Sequence, residues 1–314
     1  MSTPEASLSA LPQLQGAFRC DHLGVIRAQG EDAASFLHGQ LTQDFVLLDS
    51  EHARWAAFCS PKGRMQASFV GFKQPDDTIV LVCSRDLLPS TLKRLSMFVL
   101  RAKVRLSAAS EEWTVWGVAG SSVNPALPQA PWSRLRDAHG GDWVRLYPGA
   151  GVSRALWVAP TTTGAPDAPE LTPDNWHWLE VMSGVVGITQ PIFDAFVPQM
   201  LNFESVEGVN FKKGCYPGQE VVARSQFRGT LKRRAYVVDS TGPVQIGQDV
   251  FHVSDAEQPC GRVAAAAPSP LGGWNAVVSM QTSAALGGEL RAGTAADAPT
   301  LTPLPLPYTL LDDI

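Results

Sequence analysis

The sequence changes texture at Ala235. Upstream, apolar stretches of strand character alternate with stretches whose apolar residues recur at helical spacing. Downstream come only short alternations (AYVV, DVFHV, GRVAAA, NAVVSM) separated by turns that carry Gly and Pro. A period of two, repeated at short intervals between such turns, specifies antiparallel β-structure. Residues 235–314 therefore read as a small antiparallel β-barrel or sandwich. The remainder, 1–234, reads as α+β, and a total of 314 residues fits two domains at roughly 100–200 residues each.

Within 1–234 the pattern predicts a strand over LGVIRAQG, then a helix opened by Gly30-Glu31-Asp32 with Ala33, Phe36 and Leu37 on its apolar face. Strands over 55–60 and 65–72 flank Ser60-Pro61-Lys62-Gly63, a type I turn with Pro second and Gly fourth, and should pair as a hairpin. A third strand spans 78–84. A helix over 86–99 places Leu87, Leu88, Leu92, Leu95 and Phe98 inward and Lys93 and Arg94 outward. Strands follow at 102–107, 113–120, 143–147 and 155–159. Thr172-Pro173-Asp174 supplies a cap, a first-turn proline and an acid for a helix that runs to Ser183 and stops at Gly184. The Pro-rich C-terminus, LTPLPLPYTLLDDI, should lie extended on the surface.

No run approaches the roughly 20 apolar residues of a membrane helix, and the N-terminus has neither a basic n-region nor an apolar h-region. A cytoplasmic protein with no membrane partner is expected. The net charge of −5 hides a pattern. From Glu207 to Arg234 seven basic residues (Lys212, Lys213, Arg224, Arg228, Lys232, Arg233, Arg234) face two acids, giving +5. From Arg85 to Arg105 six basic residues face one acid, again +5, so everything else sums to −15. Uneven charge of this kind bears on partners, although the ordinary reading of either block by itself is a solvated surface; with no RNA-binding motif, direct nucleic-acid binding is not expected.

The five cysteines (20, 59, 83, 215 and 260) form no CxxC, and the six histidines form no HExxH. Neither a disulfide framework nor a self-contained zinc or iron–sulfur site is expected. One stretch concentrates unusual chemistry: Lys212-Lys213-Gly214-Cys215-Tyr216-Pro217-Gly218-Gln219-Glu220. Pro217 can start a helix, and a thiol just before a helix N-terminus beside two cations has its thiolate stabilised. Cys215 is thus read as a functional thiol, against the alternative of a small buried hydrophobe. The other four cysteines read as core filler.

KKGCYPGQEVVAR followed by RGTLKRR resembles the hallmark of the YgfZ family, folate-binding relatives of the glycine-cleavage T-protein. RAQGEDAASFLHGQLTQD, SPKGRM and FVPQMLNFESVEGVNF agree with it, in order, from about residue 23 to 234. The resemblance implies an α+β ring of three subdomains around a tetrahydrofolate pocket: two intertwined α+β subdomains within 1–234, and the barrel last. It implies a role in assembly or repair of iron–sulfur proteins, including tRNA-modifying enzymes, with those proteins or their assembly factors as partners. It makes Cys215 the functional thiol, with Lys213, Gly214, Tyr216, Gly218, Gln219, Glu220 and Arg224 as motif neighbours in cofactor binding. The two basic blocks are then candidates to hold the anionic, possibly polyglutamylated, folate tail.

Two other classes compete. A folate-dependent aminomethyltransferase would need a carboxylate just after the hairpin glycine, but 63–68 reads Gly-Arg-Met-Gln-Ala-Ser, and neither Gln66 nor Ala67 titrates. A non-catalytic accessory protein would hold folate only as a ligand or sensor. In Leu179-Glu180-Val181-Met182-Ser183-Gly184 the family often carries a basic residue ahead of the small-residue turn. Glu180 could accept hydrogen bonds from the pterin or cap a solvent-facing turn. Nine tryptophans, among them Trp176 and Trp178, offer a fluorescence readout of folate binding.

Overall fold

The computed structural model describes residues 14–227 and 231–311. Arg228 of the second basic block, Asp312 and Asp313 of the acidic C-terminal count, and the N-terminal residues 1–13 lie outside the described residues.

The chain crosses between two sheets before it builds a third. β1 (Gly16–Arg19) belongs to the first sheet, but the next elements form the second: β2 (Leu23–Gln29), α1 (Ala33–Gln40), β3 (Arg54–Cys59), β4 (Met65–Lys73), β5 (Ile79–Ser84), α2 (Leu88–Ser96) and β6 (Arg105–Ala108). The chain then returns to the first with β7 (Trp113–Ala119), β8 (Arg134–Arg136), β9 (Asp142–Gly149) and β10 (Val152–Pro160). The first sheet has the order β1-β7-β10-β9-β8 and the second β3-β4-β5-β2-β6. After α3 (Pro173–Met182), an irregular stretch and α4 (Gln219–Phe227), the C-terminal part closes on itself. Its barrel comprises β11 (Arg233–Ser240), β12 (Asp249–His252), β13 (Asp255–Pro268), β14 (Trp274–Gln281), β15 (Leu290–Ala292) and β16 (Thr300–Pro303), in the order β11-β14-β13-β12-β15-β16. β16 pairs back to β11, so no edge is left open.

The strong apolar character of the β3–β4 hairpin follows from burial on both faces. Trp55, Ala57, Val70 and Phe72 enter the large central core, while Ala56, Phe58, Ala67 and Phe69 pack beneath α1 and α2 in a second one. That central core takes side chains from all three sheets, among them Val25, Val115, Leu156, Val237 and Val277, so the subdomains share one interior. α3 is capped as its sequence requires: the Thr172 hydroxyl accepts from Asn175 N, and Gly184 takes φ +65° just past the end. Its Trp176 lies flat on Gly117 of β7, where a Cβ would stand 2.4 Å from the indole, so a larger residue there would displace the helix.

Three local expectations shift. The helix expected over 86–99 is confined to Leu88–Ser96. Its last turn tightens into an i→i+3 bond from Phe98 N to Leu95 O, and Phe98 is left 43% exposed instead of buried. β1 and β8, of four and three residues, are too short for a period of two to mark them. The Pro-rich tail is anchored, because Leu304 N donates to Val237 O and the Tyr308 hydroxyl to Gly184 O. Among the described residues no helix is long and apolar enough to cross a membrane.

Candidate functional site

Where the three sheets meet, a cavity of about 310 Å³ opens between β3–β5, β9–β10, α3 and the barrel residues Ala264, Ala265 and Ala266. Such a volume is at the lower end of small-molecule sites. One wall is aromatic: Trp55 and Trp132 stack with centroids 5.6 Å apart and planes 3° from parallel, and Tyr147 packs edge-on to Trp132. These rings, rather than the buried Trp176 and Trp178, face the cavity.

The other wall is polar. Glu180 of α3 lines the cavity. Its Oε2 accepts from His177 Nδ1 at 2.8 Å, and Arg154 lies 4.0 Å from Oε1. Burial acts to raise the Glu180 pKa, but the His177 hydrogen bond and the charges of His22 and Arg154 outweigh it, so the carboxyl stays below its ordinary range. Burial acts to lower His177, and the Glu180 hydrogen bond and charge reverse this, leaving it raised. His22, on the turn after β1, has no such bond, and burial lowers it despite Glu180. Arg154 on β10 is 3% exposed, and burial brings its pKa down to about 10 against the pull of Glu180. The guanidinium lies over the Trp176 ring at 4.6 Å, donates weakly to Tyr147 O at 3.4 Å, and has no hydrogen-bond partner for Nε among the described residues.

The cysteine motif is built elsewhere, on the far end of the β3–β4 hairpin. Gly218 has φ +80°, and a Cβ there would fall 2.4 Å from Ser60 O, so the loop can dock on the hairpin turn only with glycine at that position. Lys213, only 8% exposed, anchors the loop: its Nζ donates to His38 O (2.5 Å), Leu41 O (3.0 Å) and Gly214 O (3.2 Å), and sits 4.5 Å over the Tyr216 ring. Burial takes this ammonium down to about 8, with Asp44 and Cys215 pulling it back up. Tyr216 is buried; Gly214 and Cys215 are exposed. Helix α4 begins at Gln219, four residues past the thiol, and Glu220 and Arg224 pair on its exposed face at 2.7 Å. Below the loop, His38 Nδ1 bonds Asp44 Oδ1 at 3.1 Å, and His38 Nε2 would stand 3.5 Å from a Cβ on Gly214. The remaining cysteines, 20, 59, 83 and 260, are buried, as expected of core filler, Cys59 and Cys83 inside apolar strands.

Of the nine residues singled out by the sequence, Glu180 alone lines the central cavity; Lys213, Gly214, Cys215, Tyr216, Gly218, Gln219, Glu220 and Arg224 do not. Trp55 lines the cavity, and Ser60 at the loop contact is five residues further along, roughly 15 Å at the rise of a strand. Neither basic block reaches the cavity wall. Arg234 is spent on buried Glu204 (2.5 Å), Arg233 on Cys260 O and Arg85 on Glu111, while Lys93, Arg94, Arg101 and Arg105 are exposed. His22, His177, Arg154, Trp55 and Trp132 escaped the sequence reading. Only His177, three residues before Glu180 on one helix, left a local signal.

No family model matches the chain. It is 30% identical over 225 residues to the tRNA-modifying protein YgfZ of Sodalis glossinidius, covering 68% of this chain and 67% of that one. It is 28% identical over 298 residues to that of Cronobacter sakazakii, covering 90% and 89%. Among solved structures, the glycine cleavage system aminomethyltransferase T of Bartonella henselae superposes with a TM-score of 0.69 over 98% of this chain and 90% of that one, at 13% identity, a likeness of fold. With a fold of the T-protein type and a relative at this identity matched over two thirds of its length, the chain belongs to the YgfZ family.

Proposed function

We propose that the chain binds tetrahydrofolate in the central cavity and acts, through the Cys215 loop, in assembly or repair of iron–sulfur proteins, including tRNA-modifying enzymes, in the cytoplasm. The observation that carries the folate reading is the polar wall. Glu180, held ionised, can accept from a ring that presents adjacent N–H donors. The Arg154 guanidinium and the Thr189 hydroxyl belong to residues that also line the cavity and can donate to a ligand with acceptor atoms. A pterin carries both kinds of edge, and the Trp55–Trp132 stack suits its flat ring. An anionic tail would lie outside the cavity, where the exposed cations of the two blocks are available to it.

In this reading Lys213, Gly214, Tyr216, Gly218, Gln219, Glu220 and Arg224 serve the thiol: they fix the loop so that Cys215 stands clear of the surface for a protein partner or a cluster. Division of labour follows between 1–234, which holds the folate site, and the barrel of 235–314, which closes it. An aminomethyltransferase has less support, since the hairpin offers Gln66 where a proton-handling carboxylate would be needed. The test is a calorimetric and tryptophan-fluorescence titration with mono- and polyglutamyl tetrahydrofolate. Saturable binding at one per chain is expected, and its absence would overturn the folate site. In cells lacking the protein, Cys215→Ser should fail to restore iron–sulfur enzyme activity; full restoration would remove the thiol from the mechanism.

A further inference from the structure

The two histidines on the cavity wall carry chemistry that folate binding does not use. His177 Nδ1 and Glu180 Oε2 are 2.8 Å apart on one face of α3. Two ligand atoms about 2.1 Å from one ion and at right angles are separated by about 3.0 Å, so this pair already has the bite of a chelate. His22 comes from a different element, and one ligand atom from each of His22, His177 and Glu180 lies within 4.8 Å of the other two. The His22 ring makes no hydrogen bond among the described residues; it only stacks on Phe18 at 6.2 Å and meets His177 edge-on at 4.9 Å. Its χ angles are therefore free to bring the third nitrogen closer without breaking a polar contact.

We propose that His22, His177 and Glu180 form a two-histidine, one-carboxylate site for a divalent first-row transition-metal ion, with its remaining positions open to the central cavity. Two imidazoles and a single carboxylate suit Zn²⁺, Fe²⁺ or Co²⁺; Mg²⁺ and Ca²⁺ require an oxygen-rich set. On binding, neutral His177 carries its proton on Nε2, which frees Nδ1 for the ion. Arg154, 4.0 Å from Glu180 Oε1, competes for the carboxylate and weakens the site. The proposal does not rest on folate, but both ligands need Glu180, so an ion and a pterin compete for the cavity.

The test uses the full, untagged chain carrying Cys215→Ser, which removes the exposed thiol, titrated with Co²⁺ in the absence of folate. Visible ligand-field bands should saturate at one ion per chain and be displaced by Zn²⁺. His22→Ala, which sits in an exposed turn and should keep the wild-type circular dichroism, and Glu180→Gln should each weaken binding at least about tenfold. Arg154→Met should tighten it. His52→Ala, which removes the exposed His52–Asp49 pair (2.8 Å), should change nothing. Absence of saturable bands, bands that persist unchanged in both His22→Ala and His177→Gln, or bands lost in His52→Ala would each overturn the site. Failure to bind folate leaves this outcome untouched, and the reverse holds as well.

Discussion

Glu180 and Cys215 sit at opposite ends of the β3–β4 hairpin, and their surroundings hold chemistry in different ways. In the cavity wall, His177, His22 and the buried Arg154 all converge on Glu180, and their charges together hold its carboxyl below the ordinary range. At the loop, the Cys215 thiol is exposed, and what is fixed is backbone: a left-handed glycine on a hairpin turn and one buried lysine under three carbonyls. A wall of converging side chains suits a small molecule, whereas an exposed loop suits something large. On the proposed reading, one fold separates ligand binding from a thiol that meets a macromolecular partner.

The sharpest way to break that separation is to exchange its residues. Glu180→Gln removes a charge-assisted hydrogen bond worth about 1.5–3 kcal/mol, so calorimetry should find tetrahydrofolate bound about 10–100-fold more weakly. Cys215→Ser should leave the affinity within twofold. Equal losses in both variants would mean that the two regions form a single site.

Next in size is the glycine pair of the loop. Gly218→Ala combines φ +80° with a 2.4 Å approach to Ser60 O and should cost about 1–3 kcal/mol in thermal unfolding. Gly214→Ala meets only His38 Nε2 at 3.5 Å and should stay within about 0.5 kcal/mol. Similar stabilities for the two would show that the loop is not docked as described.

Lys213 separates the regions by pH. Its pKa falls from 10.5 to about 8 on folding, so between those values the unfolded chain binds more protons and stability should rise with pH. Lys213→Met should abolish that rise in denaturant melts at pH 8 and 10, and an unchanged slope would exonerate the ammonium. His177 gives the smallest effect, with the opposite sign. Its raised pKa adds stability that is complete below 6.5 and lost as pH climbs through the folded value. The stability gap between wild type and His177→Gln should therefore shrink as pH rises from 6 to 8; a gap that widens would contradict the His177–Glu180 pairing.

The loop was legible because its own residues are consecutive. Lys213, Gly218 and the helix start lie within nine positions and leave a dense motif, although the carbonyls of His38 and Leu41 and the turn at Ser60 that hold them come from far along the chain. The hairpin, the capped helix α3 and the barrel alternations were legible for the same reason: periods of two and 3.6 are written in adjacent positions. Their ends were less so, as Phe98 shows: α2 closes in an i→i+3 turn that leaves this ring exposed, and apolar spacing alone does not mark where a helix tightens.

His22, Trp55, Trp132 and Arg154 belong to different parts of the chain, and nothing next to any of them announces a site. The sequence by itself determined the kinds of elements, the closed β C-terminus, the family and the motif around Cys215. Only the tertiary structure decided that Glu180 faces a cavity beside two histidines and a buried guanidinium, and that Cys215 stands apart from it. Local patterns report backbone preference and amphipathic spacing. A site assembled from β1's turn, β3, β10 and α3 exists only once apolar burial has packed three sheets around one core.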